Sequence, residues 1–134
     1  GEGSKRNELQ QLIDFHQLND CMVLMGYKEN PYPYMKTCDI YVQTSLFEGL
    51  GLTVIEATLL DKPIVCTNFP TAKTIITHKE TGIICKMNPE SIANAILEYI
   101  NNPALVEKIT SNLQQQVNND KEKSLQAVSK LFKS

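Results

Sequence analysis

Four residues in one short stretch carry this sequence's chemistry: Glu48, Gly49, Gly51 and Glu56, within Thr44-Ser45-Leu46-Phe47-Glu48-Gly49-Leu50-Gly51-Leu52-Thr53-Val54-Ile55-Glu56-Ala57. Glycines at 49 and 51 remove the Cβ atoms that would keep a ligand from lying against the backbone. Leu52, Ile55, Leu59 and Leu60 have helical spacing, so a helix is predicted from about residue 52. The amides of Gly49, Leu50, Gly51, Leu52 and Thr53 then stand at a helix N-terminus. Free N–H groups and the helix dipole favour an anion such as a phosphate there.

Glu56 falls on the stripe of Leu52, Leu59 and Leu60, a face expected to point into the interior or a cleft. A carboxylate in such a place needs donors, since burial without a partner costs roughly 2–7 kcal/mol even for a neutral polar group. Ribose hydroxyls supply such donors and a phosphate does not. Glu48 sits in the loop, within reach of a sugar attached to that phosphate. The alternative is that Glu56 meets a buried lysine or arginine and Glu48 is solvated. Spacing alone leaves both readings open.

The elements around this loop form a strand–loop–helix–strand unit. Ile40–Gln43 reads as the first strand and Pro63–Cys66 as the second. A loop leaving the carboxyl end of a parallel strand is where open α/β sheets hold ligands. Upstream, Leu9, Leu12, Ile13 and His16 mark a helix face, with His16 read as a helix-end or core histidine. Cys21–Met25 is predicted to be a buried strand and Tyr32–Thr37 a short helix, with Pro33 tolerated in its first turn. Tyr27, Tyr32 and Tyr34 are assigned to core packing and one wall of a nucleotide pocket.

Downstream, Thr71 is expected to cap a short helix running through Ile75 and Ile76. His78-Lys79-Glu80-Thr81-Gly82 reads as a turn with an exposed histidine, and Ile83-Ile84-Cys85 as a strand. Asn88-Pro89-Glu90 starts an amphipathic helix carrying Ser91, Ile92, Ala95, Ile96, Tyr99 and Ile100, which Asn101-Asn102-Pro103 ends. Two further helices follow, one on Val106, Ile109, Leu113 and Val117, the other on Leu125, Val128, Leu131 and Phe132. Asn118-Asn119-Asp120 is expected to separate them. Four strands alternating with helices through short connections predict a parallel sheet with helices on both faces.

The 134 residues, 42% hydrophobic, suit one domain with a single core. A formal charge of −2 gives no clustered basic face and no expectation of nucleic acid. No apolar run approaches the ~20 residues that span a bilayer, and no signal peptide opens the chain. Cys21, Cys38, Cys66 and Cys85 are scattered without a C-x-x-C pair, which predicts four reduced, partly buried thiols in a cytoplasmic protein and no zinc site. No carboxylate or histidine cluster has metal-ligand spacing, so neither a metal nor another cofactor is expected. Gly1-Glu2-Gly3 is either a cloning scar or the turn after an upstream strand.

The stretch Ser45–Glu56 resembles the E-x7-E motif of retaining glycosyltransferases of the GT-B fold, family 4. Further blocks fall in that family's order: Gly1-Glu2-Gly3, Val23-Leu24-Met25-Gly26-Tyr27, Pro31-Tyr32-Pro33-Tyr34-Met35, Cys38-Asp39-Ile40-Tyr41-Val42, Asp61-Lys62-Pro63-Ile64-Val65, Thr67-Asn68-Phe69-Pro70-Thr71-Ala72-Lys73 and Thr81-Gly82-Ile83-Ile84. The likeness covers roughly residues 1 to 100 and is greatest to bacterial enzymes that build capsular or other surface polysaccharides.

The resemblance implies the Rossmann-like, C-terminal half of a GT-B enzyme with its first strands missing. Residues 1–134 would be a fragment of the nucleotide-sugar donor-binding domain, with 103–134 a C-terminal helical tail. The implied donor is a nucleotide-diphospho-sugar, a uridine one, and the implied acceptor a saccharide or lipid-linked sugar. Carried onto this chain, Glu48 holds the transferred sugar as the catalytic residue and Glu56 the ribose hydroxyls. Ser45 and the amides of Gly49, Leu50, Gly51 and Leu52 complete the donor site, without a metal. The acceptor site belongs to a missing N-terminal half of the same enzyme, and a basic Arg/Lys pair facing the diphosphate belongs ahead of Gly1. The full-length protein is placed in the cytoplasm, peripheral at the inner face of the membrane. This chain departs from the family in having Leu50 where many relatives carry phenylalanine.

Two alternatives compete. A nucleotide-sugar epimerase of related fold carries a Gly-Gly followed by adjacent acids, absent around Ser45–Glu56. A flavodoxin-like receiver module shares the look of Lys62-Pro63-Ile64-Val65 but needs acids at the carboxyl ends of early strands, and Asp39 precedes its strand.

Overall fold

The computed structural model describes residues 3–132, with the side chains of 121, 124, 125 and 127–132 outside the described set. Gly1 and Glu2, two of the three residues of the predicted opening turn, also lie outside it. The chain divides into two compact units, Gly1–Pro33 and Tyr34–Ser134.

In the first unit, α1 (Arg6–Phe15) forms as its periodicity predicts and ends at His16, which caps it. Of its apolar face only Ile13 is buried. Leu9, Leu12 and Ile13 line an apolar hollow of about 190 Å³ with Leu18, Met22 and Leu24. The predicted buried strand Cys21–Met25 is not formed: no ladder includes it, and Val23 is 71% exposed. A strand exists only by pairing, and a lone extended segment has no neighbour to take its N–H and C=O groups. Cys21 is correspondingly exposed rather than partly buried. Tyr27, Tyr32 and Tyr34 are exposed too, so core packing does not explain them.

The second unit is built on three parallel strands, β1 (Tyr41–Gln43), β2 (Ile64–Thr67) and β3 (Ile83–Cys85), in the order β1-β2-β3. Val42 stands opposite Val65 and Cys66 opposite Ile84. β2 is the axis of the fold, paired on both edges and buried at every residue. Its run Ile64-Val65-Cys66-Thr67 lacks the apolar–polar alternation of a half-exposed strand because both faces are covered.

Successive β2 side chains feed two cores. Ile64 and Cys66 pack with Val54 and Ala57 of α3 (Leu52–Leu59), with Phe69, with Ala72 of α4 (Ala72–Ile75) and with Ile76. Val65 points the other way, with Ile83, onto Ala95 and Tyr99 of α5 (Pro89–Asn101) and Ile109 and Leu113 of α6 (Pro103–Phe132). Helices on both faces of a parallel sheet are the predicted layer order. α2 (Tyr32–Thr37) forms as read, and Asn88 caps α5 by accepting from the Ser91 amide at 2.8 Å.

α6 corrects the expectation of two helices. It is continuous through Asn118-Asn119-Asp120. Asn and Asp cost only a few tenths of a kcal/mol each inside a helix, so three of them do not break one. The predicted apolar positions Leu125, Val128, Leu131 and Phe132 have side chains outside the described set. Asn112 Nδ2 donates to the Glu80 carbonyl at 2.8 Å and Lys108 Nζ to Glu80 Oε1 at 3.0 Å, tying α6 to the turn before β3.

Tyr99 joins α5 to the sheet axis, its hydroxyl donating to the Ile64 carbonyl at 2.7 Å. Burial pushes its phenol pKa up strongly. Tyr99→Phe keeps the packing but removes a buried bond, so a loss of about 1–3 kcal/mol is expected. Urea unfolding monitored by circular dichroism measures it, and an unchanged midpoint would show that the bond does not stabilise the fold.

The Cys66 thiol, fully buried, is pushed up to about 12 from an ordinary 9.0 by burial, with Cys85 adding in the same direction. The folded state holds this proton more tightly than the unfolded chain. Stability is therefore intact below 9 and falls as pH rises towards about 12. Cys66→Ala should lower stability at neutral pH through its cavity but flatten that alkaline slope, as unfolding midpoints at neutral pH and midway through the window will show.

Candidate functional site

The loop from Thr44 to Gly51 leaves the carboxyl end of β1 and enters α3. It has no secondary structure of its own, so its polar groups are held by side chains. Thr67, at the end of β2, donates through Oγ1 to the Ser45 carbonyl at 2.5 Å. Thr71 occupies the N-cap position of α4, as expected. Its hydroxyl makes no cap bond, however, and instead donates to the Glu48 carbonyl at 3.2 Å. The two threonines fasten the loop at both carboxylate-bearing and serine positions from outside it.

Inside the loop the side chains form one network. Ser45 Oγ donates to Glu48 Oε1 at 2.5 Å, and Gln43 Nε2 donates to the same carboxylate oxygen at 2.7 Å and to Ser45 Oγ at 2.6 Å. Gln43 Oε1 in turn accepts from the Tyr41 hydroxyl at 2.7 Å and from Thr53 Oγ1 at 3.3 Å. Glu48 is half-buried and is held by the Gln43 and Ser45 bonds. Two charge-assisted bonds, from Gln43 and from Ser45, converge on one carboxylate oxygen and fix its rotamer.

Gln43 and Tyr41, expected only as strand residues, complete this network. A polar residue at the last position of a strand, directly before the loop, was the available signal.

Glu56 lies half-buried on α3. Its stripe is not the one predicted. Val54, Ala57 and Thr58 face the core, while Leu52 is 60% and Leu59 58% exposed. The spacing of leucines and the spacing of the small residues both suit a helix, and the tightly packed face took the small ones. Glu48 and Glu56 nevertheless converge electrostatically. Burial raises the Tyr41 phenol above its ordinary value and the negative charges of Glu48 and Glu56 push the same way, against a hydrogen bond with Thr53 that lowers it.

At the helix start, Gly51 is left-handed (φ 64°) and no side chain caps α3. The first α3 amides have no intrahelical acceptors by position, so an anion can take them. The two glycines differ in why they are glycine. A Cβ on Gly51 would come within 2.5 Å of Ile75 Cδ1, in a backbone conformation that side chains avoid. Gly51 thus serves the fold. A Cβ on Gly49 meets nothing within 4 Å, which leaves room beside the loop for a ligand. Leu46, Phe47 and Leu50 are exposed around it. Among the described residues no group of three or more His, Cys, Asp or Glu side chains could hold a metal ion, and no helix is long and apolar enough to cross a membrane.

The model of the family "Glycosyl transferases group 1" matches residues 1–116. An uncharacterized glycosyltransferase of Methanocaldococcus jannaschii is 36% identical over 88 residues, 66% of this chain and 22% of that protein. The N-acetylgalactosamine-N,N'-diacetylbacillosaminyl-diphospho-undecaprenol 4-alpha-N-acetylgalactosaminyltransferase of Campylobacter jejuni is 32% identical over 92 residues, 68% of this chain and 25% of that protein. The chain thus spans about a quarter of the length of these relatives. The structure of Anabaena HepE in complex with UDP-glucose superposes with a TM-score of 0.78 at 25% identity, over 95% of this chain and 38% of HepE.

The contrast between the glycines is testable without a ligand. Gly51→Ala should cost at least about 1–2 kcal/mol from the left-handed backbone alone, and more from Ile75. Gly49→Ala should stay within about 0.5 kcal/mol of the parent. Urea unfolding of both variants decides it, and the reverse order would show the loop geometry to be wrong.

Proposed function

The chain belongs to the group 1 glycosyl transferases, and on that premise we propose that it is the donor-binding domain of a retaining glycosyltransferase. In this reading the whole enzyme moves a sugar from a nucleotide-diphospho-sugar to a saccharide or lipid-linked acceptor during synthesis of a bacterial surface polysaccharide. Family membership decides against the epimerase and receiver-module alternatives. A uridine donor is supported by the UDP-glucose complex of HepE, and a lipid-linked acceptor by the name of the Campylobacter relative. The acceptor would dock on another part of the same enzyme, since the relatives are about four times longer than the region shared. Residues 103–134 would be the helical tail of the donor domain.

One observation carries the proposal: a carboxylate, Glu48, fixed by Ser45 and Gln43 beside an uncapped helix start at the carboxyl end of a parallel strand. The chemistry divides between the two kinds of group. Amides of Gly49, Leu50, Gly51 and Leu52 would face the diphosphate and stabilise the negative charge that grows as it leaves. Donors aimed beforehand lower the barrier because they need no rearrangement during reaction. Glu48 would accept from hydroxyls of the transferred sugar and set its orientation, its rotamer held by the network behind it. Glu56 would accept from the ribose hydroxyls.

Separate mutations of the two glutamates test this division. Glu56→Ala should weaken nucleoside diphosphate binding by about tenfold or more, since each charge-assisted bond contributes roughly 1.5–3 kcal/mol. Glu48→Gln in the full-length enzyme should leave that affinity nearly intact while turnover falls steeply. Calorimetry beside turnover, with circular dichroism to confirm folding, gives the answer. Equal losses of affinity in both variants, or none in either, would reject the assignment. A Glu56 that served only as an ion-pair partner would instead lower stability without a specific binding defect.

A further inference from the structure

We propose a second anion site, separate from the 45–56 loop, in the cavity between α4, the 77–82 turn and the end of β3. It takes a phosphate monoester or diester group. The cavity has a volume of about 530 Å³ and is lined by Asn68, Lys73, Ile76, Thr77, His78, Ile84, Cys85 and Lys86. Two of these eight side chains are ammonium groups and none is a carboxylate, in a chain whose formal charge is −2.

The acids of the 77–82 turn and of α5 that form ion pairs are engaged by other lysines. Glu98 pairs with Lys79 and Glu80 with Lys108, each at 3.0 Å. Among the described residues, Lys73 and Lys86 have no ion-pair partner. The site therefore holds a local excess of positive charge that nothing in its lining offsets.

Its neutral donors are organised as well. His78 Nδ1 accepts the backbone N–H of Ile84 at 3.1 Å, which assigns the imidazole proton to Nε2 and makes that nitrogen a donor. The backbone of Asn68 is fixed by donation of its N–H to the Cys85 carbonyl at 2.9 Å, so its side-chain amide is carried on an anchored position of the wall. Thr77 adds a hydroxyl. Ile76, buried, and Ile84 form the apolar part of the lining, while Lys73 and Lys86 reach the cavity from exposed positions.

Two point charges, an imidazole N–H, an amide and a hydroxyl match a tetrahedral oxyanion with several acceptors better than a planar carboxylate, which has two oxygens. Asn68 follows β2 and Lys86 follows β3, so the cavity opens at the ligand-binding end of the sheet. No residue of it belongs to the donor loop, and the inference stands without the donor assignment.

The test is titration of the 134-residue chain with inorganic phosphate and with a phosphate diester, followed by backbone and histidine NMR. Shifts are expected at Asn68, Thr77, His78 and Lys86, with the apparent Kd raised about tenfold or more in the Lys73→Ala/Lys86→Ala variant. Both lysines are exposed, so the variant should fold, and circular dichroism checks it. Co-sedimentation with phosphatidylglycerol vesicles distinguishes the source. Vesicle binding lost in the double variant places the phosphate on a lipid headgroup, and binding of soluble phosphate alone places it on a soluble molecule. Phosphate that shifts only Gly49–Thr53, phosphate that shifts nothing, or binding that the double variant retains in full would overturn the second site. Only the first of these outcomes leaves the donor loop supported as an anion site, which keeps the two proposals separable.

Discussion

Thr67 and Thr71 hold the 44–51 loop by its carbonyls, and most of the site's geometry follows from that restraint. An irregular loop cannot satisfy its own backbone, and water competes for groups that nothing else binds. Here Ser45 and Glu48 are pinned through their main chains from β2 and α4. Their side chains are thereby left to each other and to Gln43. Because β2 is buried along its whole length and bonded again by Tyr99, the restraint through Thr67 is referred to the core strand of the fold. A catalytic geometry built on such a loop inherits the precision of a core strand.

Packing at Gly51 supplies the complementary constraint. Its left-handed conformation turns the chain sharply into α3 while Ile75 closes the space a side chain would need. The start of α3 has no side-chain cap, and its first amides have no intrahelical acceptors by position. Omitting an N-cap ordinarily costs about 1 kcal/mol. A helix that forgoes it leaves its first amides open to water or to a ligand.

Periodicity sufficed for the parallel strands β1, β2 and β3 and for α1, α2 and α5, since each depends on local spacing. It failed where a tertiary partner decides. Cys21–Met25 has the apolar content of a strand but no paired neighbour in the structure, and content alone cannot show that. In α3 two apolar stripes competed, and the choice of Val54, Ala57 and Thr58 over Leu52 and Leu59 was made by how closely the helix lies on β2. Asn118–Asp120 looked like a break because Asn and Asp favour turns, yet α6 passes through them. Gln43 was hidden for a different reason. Its role comes from four hydrogen bonds to residues on both sides of it in sequence, and no motif spells that out.

Charge balance sets the remaining demand on this site. A helix N-terminus offers the equivalent of about half an elementary charge, whereas a diphosphate carries more than one negative charge. Glu48 and Glu56, both close enough to act on Tyr41, enlarge the deficit. Residues 44–56 contain no lysine or arginine to offset it. At the ligand-binding end of the described sheet, the positive charge of this chain sits at Lys73 and Lys86, around a different cavity. On the proposed reading, the two carboxylates would accept from a region rich in hydroxyls, and the first α3 amides would face the adjoining phosphates. Neutral sugar next to charged diphosphate is the arrangement a nucleotide-sugar presents, and it is the one in which acids and an anion can share a loop without facing each other.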